Sequence, residues 1–369
     1  MSHAVPQLPA AAGAGVPLNK RAMHAAVYRG KGRVVVEQVP VPEIGPGEVL
    51  LRVAACGICG TDIKKIQHGF IPPPQILGHE IAGTVVEVGS GVTRWKPGDR
   101  AVSFHHIPCG RCFYCERKLY SQCPTYKKVG VTAGFDPNGG GFAEYVRIMP
   151  WIAERGMVAI PAEVSFEEAT FVEPVNTCWK AIEKARVAAG ETVVVIGQGP
   201  IGLLLMLLAR NVGATLVTSD PLPARRERSL RYGAATSCDP AAGTLLEAVK
   251  AHTQGRGADV VLLAVPHPEL VRESLTLARP GGRVLLFAQN DPLMNIEFPA
   301  AAVGVEEKEI LGSYSASVDK QEQSARIVFE RRLPLRDLIS HRFPLEQMEH
   351  ALALAACPAG DSLKVVILP

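Results

Sequence analysis

Residues 192 to 202 read TVVVIGQGPIG, an apolar run that ends in Gly197, Gly199 and Gly202 in G-x-G-x-x-G order. Between a strand and a helix, such glycines have separate tasks. Gly197 permits the tight turn, Gly199 lets a pyrophosphate approach the backbone, and Gly202 lets the helix pack close to the sheet. Pro200 and Ile201 open that helix, whose first amides face the phosphates. The next apolar run, TLVTSD, ends at Asp220, 23 residues after Gly197. A carboxylate there accepts hydrogen bonds from both ribose hydroxyls and repels a 2′-phosphate, which favours NAD over NADP. Arg225 and Arg226 follow closely and pull the other way; Arg225 joins the cofactor-binding candidates. Glycines kept only for packing and an aspartate kept only for a turn would explain each feature singly, but not the joint match.

The surrounding pattern agrees with that reading. From about residue 176 an Ala-rich helix (176–188) leads into alternating strands and helices: TVVVIG, PIGLLLMLLARNVG, TLVTSD, RRERSLRYGA, AAGTLLEAVKAHT, ADVVLLAV, PELVRESLTLA and GRVLLFA. Continuous apolar strands alternating with helices predict a parallel sheet covered on both faces. Residues 23 to about 172 differ. Short β-rich stretches split by Gly and Pro (VVVEQVPVP, EVLLRVAAC, IAGTVVEVG, DRAVSF, FAEYVRIM) predict a compact β-barrel-like module. After Gly312 the pattern loses regularity and ends in strand LKVVILP. A chain of 369 residues suits two domains.

Composition narrows the function classes. With 47% hydrophobic and 20% charged residues the profile is that of a soluble globular protein. A net charge of +3 gives no reason to expect nucleic acid or an anionic membrane as partner. The most apolar run, 193–209, is broken by Gly, Gln and Pro, so strand, turn and helix explain it better than a membrane span. The first 22 residues, rich in Ala, Pro and Gly, lack a signal-peptide pattern and read as a flexible N-terminal extension. A reducing, cytoplasmic setting is therefore expected, in which clustered thiols more often bind metal than pair as disulfides.

Residues 108 to 123, PCGRCFYCERKLYSQC, hold such a cluster: Cys109, Cys112, Cys115 and Cys123. A redox pair would need a C-x-x-C at a helix start beside a strand, and this segment lacks that context. An iron–sulfur site is a fairer rival, since C-x2-C-x2-C with a later Cys-Pro resembles ferredoxin runs, but those place the last cysteine after three residues rather than seven. A zinc held by four thiolates is saturated and can only hold a loop together. The nearby Arg111, Arg117, Lys118, Lys127 and Lys128 read as a solvated loop surface rather than a nucleic-acid module.

Three further segments carry metal-ligand types: ACGICGTD (55–62), ILGHE (76–80) and FVEP (171–174). Singly, each Cys, His or Glu has a bland reading as a packed or satisfied residue. Together they carry a resemblance. Gly78, His79, Glu80, Gly83, Gly89 and Val92 match the zinc signature G-H-E-x2-G-x5-G-x2-V, and Cys59 to Asp62 match a Cys-Gly-(Thr/Ser)-Asp motif. The four-cysteine stretch and the glycine turn also match. From about 23 to 369 the chain resembles the zinc-containing medium-chain dehydrogenases of the alcohol, sorbitol and threonine branches.

The resemblance implies an α/β protein with two domains. A GroES-like β-barrel catalytic domain would take residues 23–175 and 313–369, with a structural zinc lobe at about 105–125. A Rossmann doubly wound parallel-sheet domain would take 176–312 and bind NAD. It further implies a catalytic zinc held by Cys59, His79 and Glu173, with Glu80 as a possible alternate ligand and Asp62 orienting the imidazole. The Cys109, Cys112, Cys115 and Cys123 set would hold a second, structural zinc. Thr61 matches the first member of a proton relay, and Thr177 a residue placed against the nicotinamide. Relatives are dimers or tetramers, so a homodimer or homotetramer is expected.

Two positions depart from the family. Many relatives have His as the outer relay member, where this chain has Lys64; a lysine carries protons only if its pKa is depressed. Sorbitol dehydrogenases have an Arg-Tyr pair where this chain has Ser315 and Ala316, which weakens a claim for sorbitol itself. The expected reaction is hydride transfer between NAD and a secondary alcohol, a polyol or sugar derivative, giving the ketone. The rival is a non-catalytic or redox-sensing zinc protein that uses its dinucleotide site as a sensor. Phe104, Trp95 and Trp151 are candidate pocket residues.

Overall fold

The computed structural model describes residues 22–126, 140–265, 267–287, 295–358 and 362–369. Nearly all of the expected N-terminal extension, together with Lys127 and Lys128, lies outside them.

Strand Thr192–Ile196 sits inside a six-stranded sheet whose order is Thr236–Cys238, Thr215–Ser219, Thr192–Ile196, Ala258–Leu263, Ala278–Leu286, Glu309–Gly312. Every pairing in it is parallel. All five residues of Thr192–Ile196 are buried, as the continuous apolar run requires of a strand covered on both faces. The chain moves from this strand to Thr215–Ser219 on one side and later to Ala258–Leu263 on the other. The order therefore reverses at Thr192–Ile196, and a crevice opens at the carboxyl ends of these strands. Helix Pro200–Val212 leaves from that crevice and is buried from Gly202 through Ala209, which explains why its sequence is apolar all round.

The other half is antiparallel except for one parallel pair, Ile339–Pro344 with Lys364–Leu368. A seven-stranded sheet runs Ile339–Pro344, Lys364–Leu368, Val49–Gly57, Glu80–Val88, Arg100–Ser103, Met157–Ala159, and Tyr145–Ile148 joins it by pairing with Val49–Gly57. A three-stranded sheet of Arg33–Pro40, Ala22–Gly30 and Gln75–Ile76 packs beside it. The two are joined through the bridge between Ala25 and Ala143 and the hydrogen bond from the Ala26 amide to the Phe142 carbonyl. The terminal strand Lys364–Leu368 pairs Val366 with Gly57 and Ile367 with Cys56, so the last residues of the chain lie against the ACGICG segment.

Helix Val172–Lys184 begins earlier than the Ala-rich pattern predicts and runs through the expected boundary at 175/176. Pro174 falls in its first turn, where a missing amide costs no helical hydrogen bond. Sequence periodicity also missed helices Gly60–His68, Gln321–Phe329 and Met348–Ala356, whose short lengths give only two turns of pattern.

Candidate active site

Strand Val49–Gly57 runs into helix Gly60–His68 at Cys59. Asp62 sits in that helix's first turn and accepts a hydrogen bond from the Cys59 amide through Oδ2 at 3.1 Å. Its other oxygen, Oδ1, lies 3.3 Å from His79 Nδ1, and the carboxylate is fully buried. One residue thus caps the helix that carries Cys59 and fixes the ring of His79, leaving Nε2 as the free imidazole donor. Burial alone would raise the Asp62 pKa, but His79, with Lys65 and the Cys59 amide, holds the carboxyl below its ordinary value. For His79 burial works against charge, yet Asp62 and Cys59 raise its pKa well above the usual histidine range.

The donor atoms of Cys59, His79 and Glu80 all lie within 4.8 Å of one another. A thiolate, an imidazole and a carboxylate at such spacing, around a partly open sulfur, fit a zinc ion with a place left for an exchangeable oxygen. Glu173 does not belong to this compact set. It is buried beside it at the start of helix Val172–Lys184, with Oε1 at 3.7 Å from His105 Nε2. Burial, with Glu80 adding repulsion against the opposing pull of His79, raises its pKa to about 7. Of the ligands expected from sequence, Cys59 and His79 fall in the compact set together with Glu80, the expected alternate, while Glu173 lies beside it.

Two partners of this site escaped sequence reading. Lys364, fully buried on the C-terminal strand, forms an ion pair with Glu80 and donates to the Ile58 carbonyl at 3.0 Å. Burial would lower its pKa, but Glu80 and Cys59 raise it, so the amine stays charged. His105 is the other. Burial first, then His106 and His79, hold its pKa well below the ordinary histidine value, so the ring is neutral.

One cleft of about 540 Å³ joins this donor set to the glycine turn; Cys59, Glu80 and Lys364 line one part and Gly197, Gly199, Pro200, Ile201, Gly202, Asp220 and Arg225 another. Its size is that of a cofactor or substrate site. The three glycines are required for different reasons. Gly197 has φ +88°, a left-handed conformation that disfavours any side chain, and a Cβ on Gly202 would lie 1.7 Å from the Gly197 carbonyl oxygen. A Cβ on Gly199 would meet only the Arg225 guanidinium, at 3.6 Å, so packing within the chain does not explain that glycine. Close approach of a ligand does.

Asp220 Oδ2 accepts from the Gln198 amide at 2.7 Å and Oδ1 from the Leu222 amide at 2.9 Å. The carboxylate is thereby aimed from the end of strand Thr215–Ser219 at the glycine turn. Arg225 lies 3.7 Å from Asp220, and its Nε is buried without a hydrogen-bond partner among the described residues. A charged donor over Gly199 with an unused N–H fits an anionic nucleotide ligand. Arg226 turns away, donating to the Asp220 and Pro221 carbonyls and pairing with Asp239.

The sulfur atoms of Cys109, Cys112, Cys115 and Cys123 also lie within 4.8 Å of one another, and none forms a disulfide. Cys109 and Cys115 sulfurs are 4.0 Å apart, close to the ~3.8 Å edge of a tetrahedron with zinc–sulfur bonds of about 2.3 Å. The cluster fits a saturated zinc. Arg117 lies over the Phe113 ring at 3.7 Å and pairs with Glu116, as a solvated loop surface would.

The remaining candidates are scattered. Thr61 lies between Gly60 and Asp62, beside the donor set, in the first turn of its helix. Burial lowers the Lys64 pKa, with Cys59 opposing, so its amine has the direction of shift that proton transfer needs. Thr177 donates its hydroxyl back to the Pro174 carbonyl at 2.9 Å. Trp95 donates to the Ala153 carbonyl and lines a separate surface depression with Arg94 and Arg100. Phe104 is buried in the antiparallel core with Trp151 packed against the same cluster. Ser315 and Ala316 belong to the return segment, where Tyr126 donates to the Ala316 carbonyl at 2.6 Å.

A parallel sheet with a glycine turn at its switch point, sharing a cleft with a thiolate–imidazole–carboxylate set, defines a nucleotide-using metal-dependent oxidoreductase. Comparison with known proteins agrees. Residues 45–161 match the alcohol dehydrogenase GroES-like domain and residues 200–330 the zinc-binding dehydrogenase model. The chain is 30% identical to sorbitol dehydrogenase of Bacillus subtilis (strain 168), over 96% of this chain and 98% of that one. It is 32% identical to L-threonine 3-dehydrogenase of Symbiobacterium thermophilum, over 90% and 94%. The crystal structure of a zinc-binding dehydrogenase from Sinorhizobium meliloti 1021 bound to NADP superposes with a TM-score of 0.87 at 31% identity, covering 95% of this chain and all of that one (100%). The chain belongs to the zinc-type medium-chain dehydrogenase/reductase family. Its antiparallel half is the GroES-like module and its parallel half the Rossmann module. Among the described residues no helix is long and apolar enough to cross a membrane.

Proposed function

We propose that this protein oxidises a secondary alcohol, a polyol or sugar derivative, to its ketone and passes the hydride to NAD. The observation that carries the reading is the single cleft shared by Cys59, Glu80, the glycine turn and Asp220. Similarity to sorbitol and threonine dehydrogenases supports the alcohol class, and disfavours a non-catalytic sensor. NAD is preferred on the ground of Asp220: a 2′-phosphate beside a carboxylate held by two backbone amides is repelled. The Sinorhizobium meliloti protein is bound to NADP, so turnover with NAD against NADP tests the role of Asp220.

Two zinc ions per chain complete the proposal. Cys59 and His79, with Glu80 or Glu173, hold one, and the four cysteines the other. The first, when bound, supplies the Lewis acidity that eases loss of an alcohol's proton, and NAD supplies the hydride acceptor. The chain does the rest. Asp62 holds the His79 ring in place, Lys364 pairs with Glu80 and holds it in place, and Thr61 receives the alcohol proton, with Lys64 as the next carrier. Gly199 and Arg225 seat the nucleotide phosphates and Asp220 its ribose, while Thr177 borders the nicotinamide. The catalytic domain comprises 23–175 and 313–369 and the cofactor domain 176–312. The protein acts as a cytoplasmic homodimer or homotetramer.

A panel of polyols, sugar phosphates, amino alcohols such as threonine, and simple secondary alcohols, followed by nucleotide reduction with NAD and with NADP, tests this reading. NAD-dependent turnover of a secondary alcohol is expected. Binding of NADH without turnover of any alcohol would favour the sensor instead.

A further inference from the structure

The antiparallel pairing of Glu80–Val88 with Arg100–Ser103 joins Ile81 to Ser103 and Ala82 to Val102. Continued past the strand end, the same register sets His79 opposite His105. Their rings are indeed neighbours, with centroids 5.0 Å apart. His105 is 3% exposed, its Nε2 faces Glu173 Oε1 at 3.7 Å, and its Nδ1 is buried without a hydrogen-bond partner among the described residues. On the far side His106 packs against it at 4.2 Å. A buried polar ring kept in this place needs a reason, because leaving one nitrogen unpaired is costly.

We propose that His105 is a positioning residue for Glu173, as Asp62 is for His79. Among the described residues, the carboxylate that faces the ring lies at Nε2. With the proton there, His105 donates toward Oε1 and leaves Oε2 as the oxygen of Glu173 able to serve the metal site. At 3.7 Å the pair is about 0.8 Å longer than a good N–H···O hydrogen bond, a gap one side-chain adjustment closes. His105 thus holds the second carboxylate of the site at the edge of the Cys59, His79 and Glu80 set, aimed by one oxygen and available by the other. Outer partners of this kind typically govern metal affinity by about 10–100-fold. The inference rests on the proposed metal site.

The test uses the full-length protein with cobalt(II) exchanged for zinc. Ligand-field absorption and cobalt affinity against a competing chelator are read for the wild type, His105→Phe, His105→Gln and His105→Asn. The signal that disappears in Cys59→Ala defines the catalytic site and separates it from the four-cysteine site. In His105→Phe a shifted spectrum and an affinity loss of about 10–100-fold are expected. His105→Gln, whose amide nitrogen reaches the place of Nε2, restores affinity to within a few-fold, while His105→Asn, which reaches only the place of Nδ1, does not. Wild-type spectrum and affinity in His105→Phe would overturn the inference, as would equal losses in all three variants. If wild-type protein binds no Cys59-dependent cobalt, the proposed metal site itself is wrong.

Discussion

Gly57 and Glu80 stand directly opposite each other on paired strands, so close that a Cβ on Gly57 would lie 2.0 Å from Glu80 Oε2. That Cβ would also fall 2.7 Å from Lys364 Cε. The missing side chain is therefore the space in which the buried Glu80–Lys364 pair sits. The obstruction is the end of a side chain rather than backbone, so the strand tolerates the change while the carboxylate must move. Gly57→Ala should keep the fold, with a melting temperature within a few degrees of wild type, but should lower zinc content at the Cys59 site and reduce kcat at least tenfold. Metal analysis beside a thermal melt checks both.

Lys364 neutralises Glu80 in a fully buried setting. Removing one member of such a pair typically costs about 3–5 kcal/mol, because the other charge is stranded. Lys364→Met should approach that loss in urea denaturation, and Lys364→Met combined with Glu80→Gln should recover part of it. Additive losses would show that the two do not act as a pair.

Asp220 receives two backbone amides and sits beside Arg225. Asp220→Asn removes the charge that repels a 2′-phosphate while keeping an acceptor for the amides. The ratio of kcat/KM with NADP to that with NAD should rise by at least about tenfold, equivalent to ~1.4 kcal/mol. A ratio unchanged by the substitution would remove Asp220 from the discrimination.

Lys180 donates to the Tyr314 and Ser315 carbonyls and to Ser121, tying helix Val172–Lys184 to the return segment and the cysteine lobe. Burial lowers its pKa to about 8. Between pH 8 and about 10.5 the unfolded chain then binds more protons at this residue than the folded one, so its contribution to stability rises with pH across that window. Denaturation of wild type and Lys180→Met at pH 7.5 and pH 10 should show wild type gaining on the variant, by up to about 3 kcal/mol. A constant difference would mean that the amine is not desolvated.

The parallel half was the more legible. TVVVIGQGPIG carries strand, turn and helix within eleven residues; Gly197 and Gly202 have local steric reasons, while Gly199 leaves room for a ligand. The four-cysteine lobe was legible for the same reason, since all its donors fall in one loop. The metal site was legible only in part. Cys59, Asp62 and His79 stand in dense motifs, but the choice between Glu80 and Glu173 depends on which strand and helix ends converge. His105 and Lys364 left no motif at all. One reaches the site by strand register from Ile81 and Ser103, the other by a pairing some 300 residues away in the chain. Contacts of that kind are properties of the sheet and are invisible to local pattern.

The most direct test of the account is zinc stoichiometry in wild type, Cys59→Ala and Cys112→Ala, with nucleotide binding and alcohol oxidation followed in the same samples. Two zinc ions per chain are expected. Cys59→Ala should lose one of them together with turnover while still binding NADH, and Cys112→Ala should lose the other together with stability. A single zinc per chain, kept in Cys59→Ala and lost in Cys112→Ala, would contradict the assignment of a metal to the cleft.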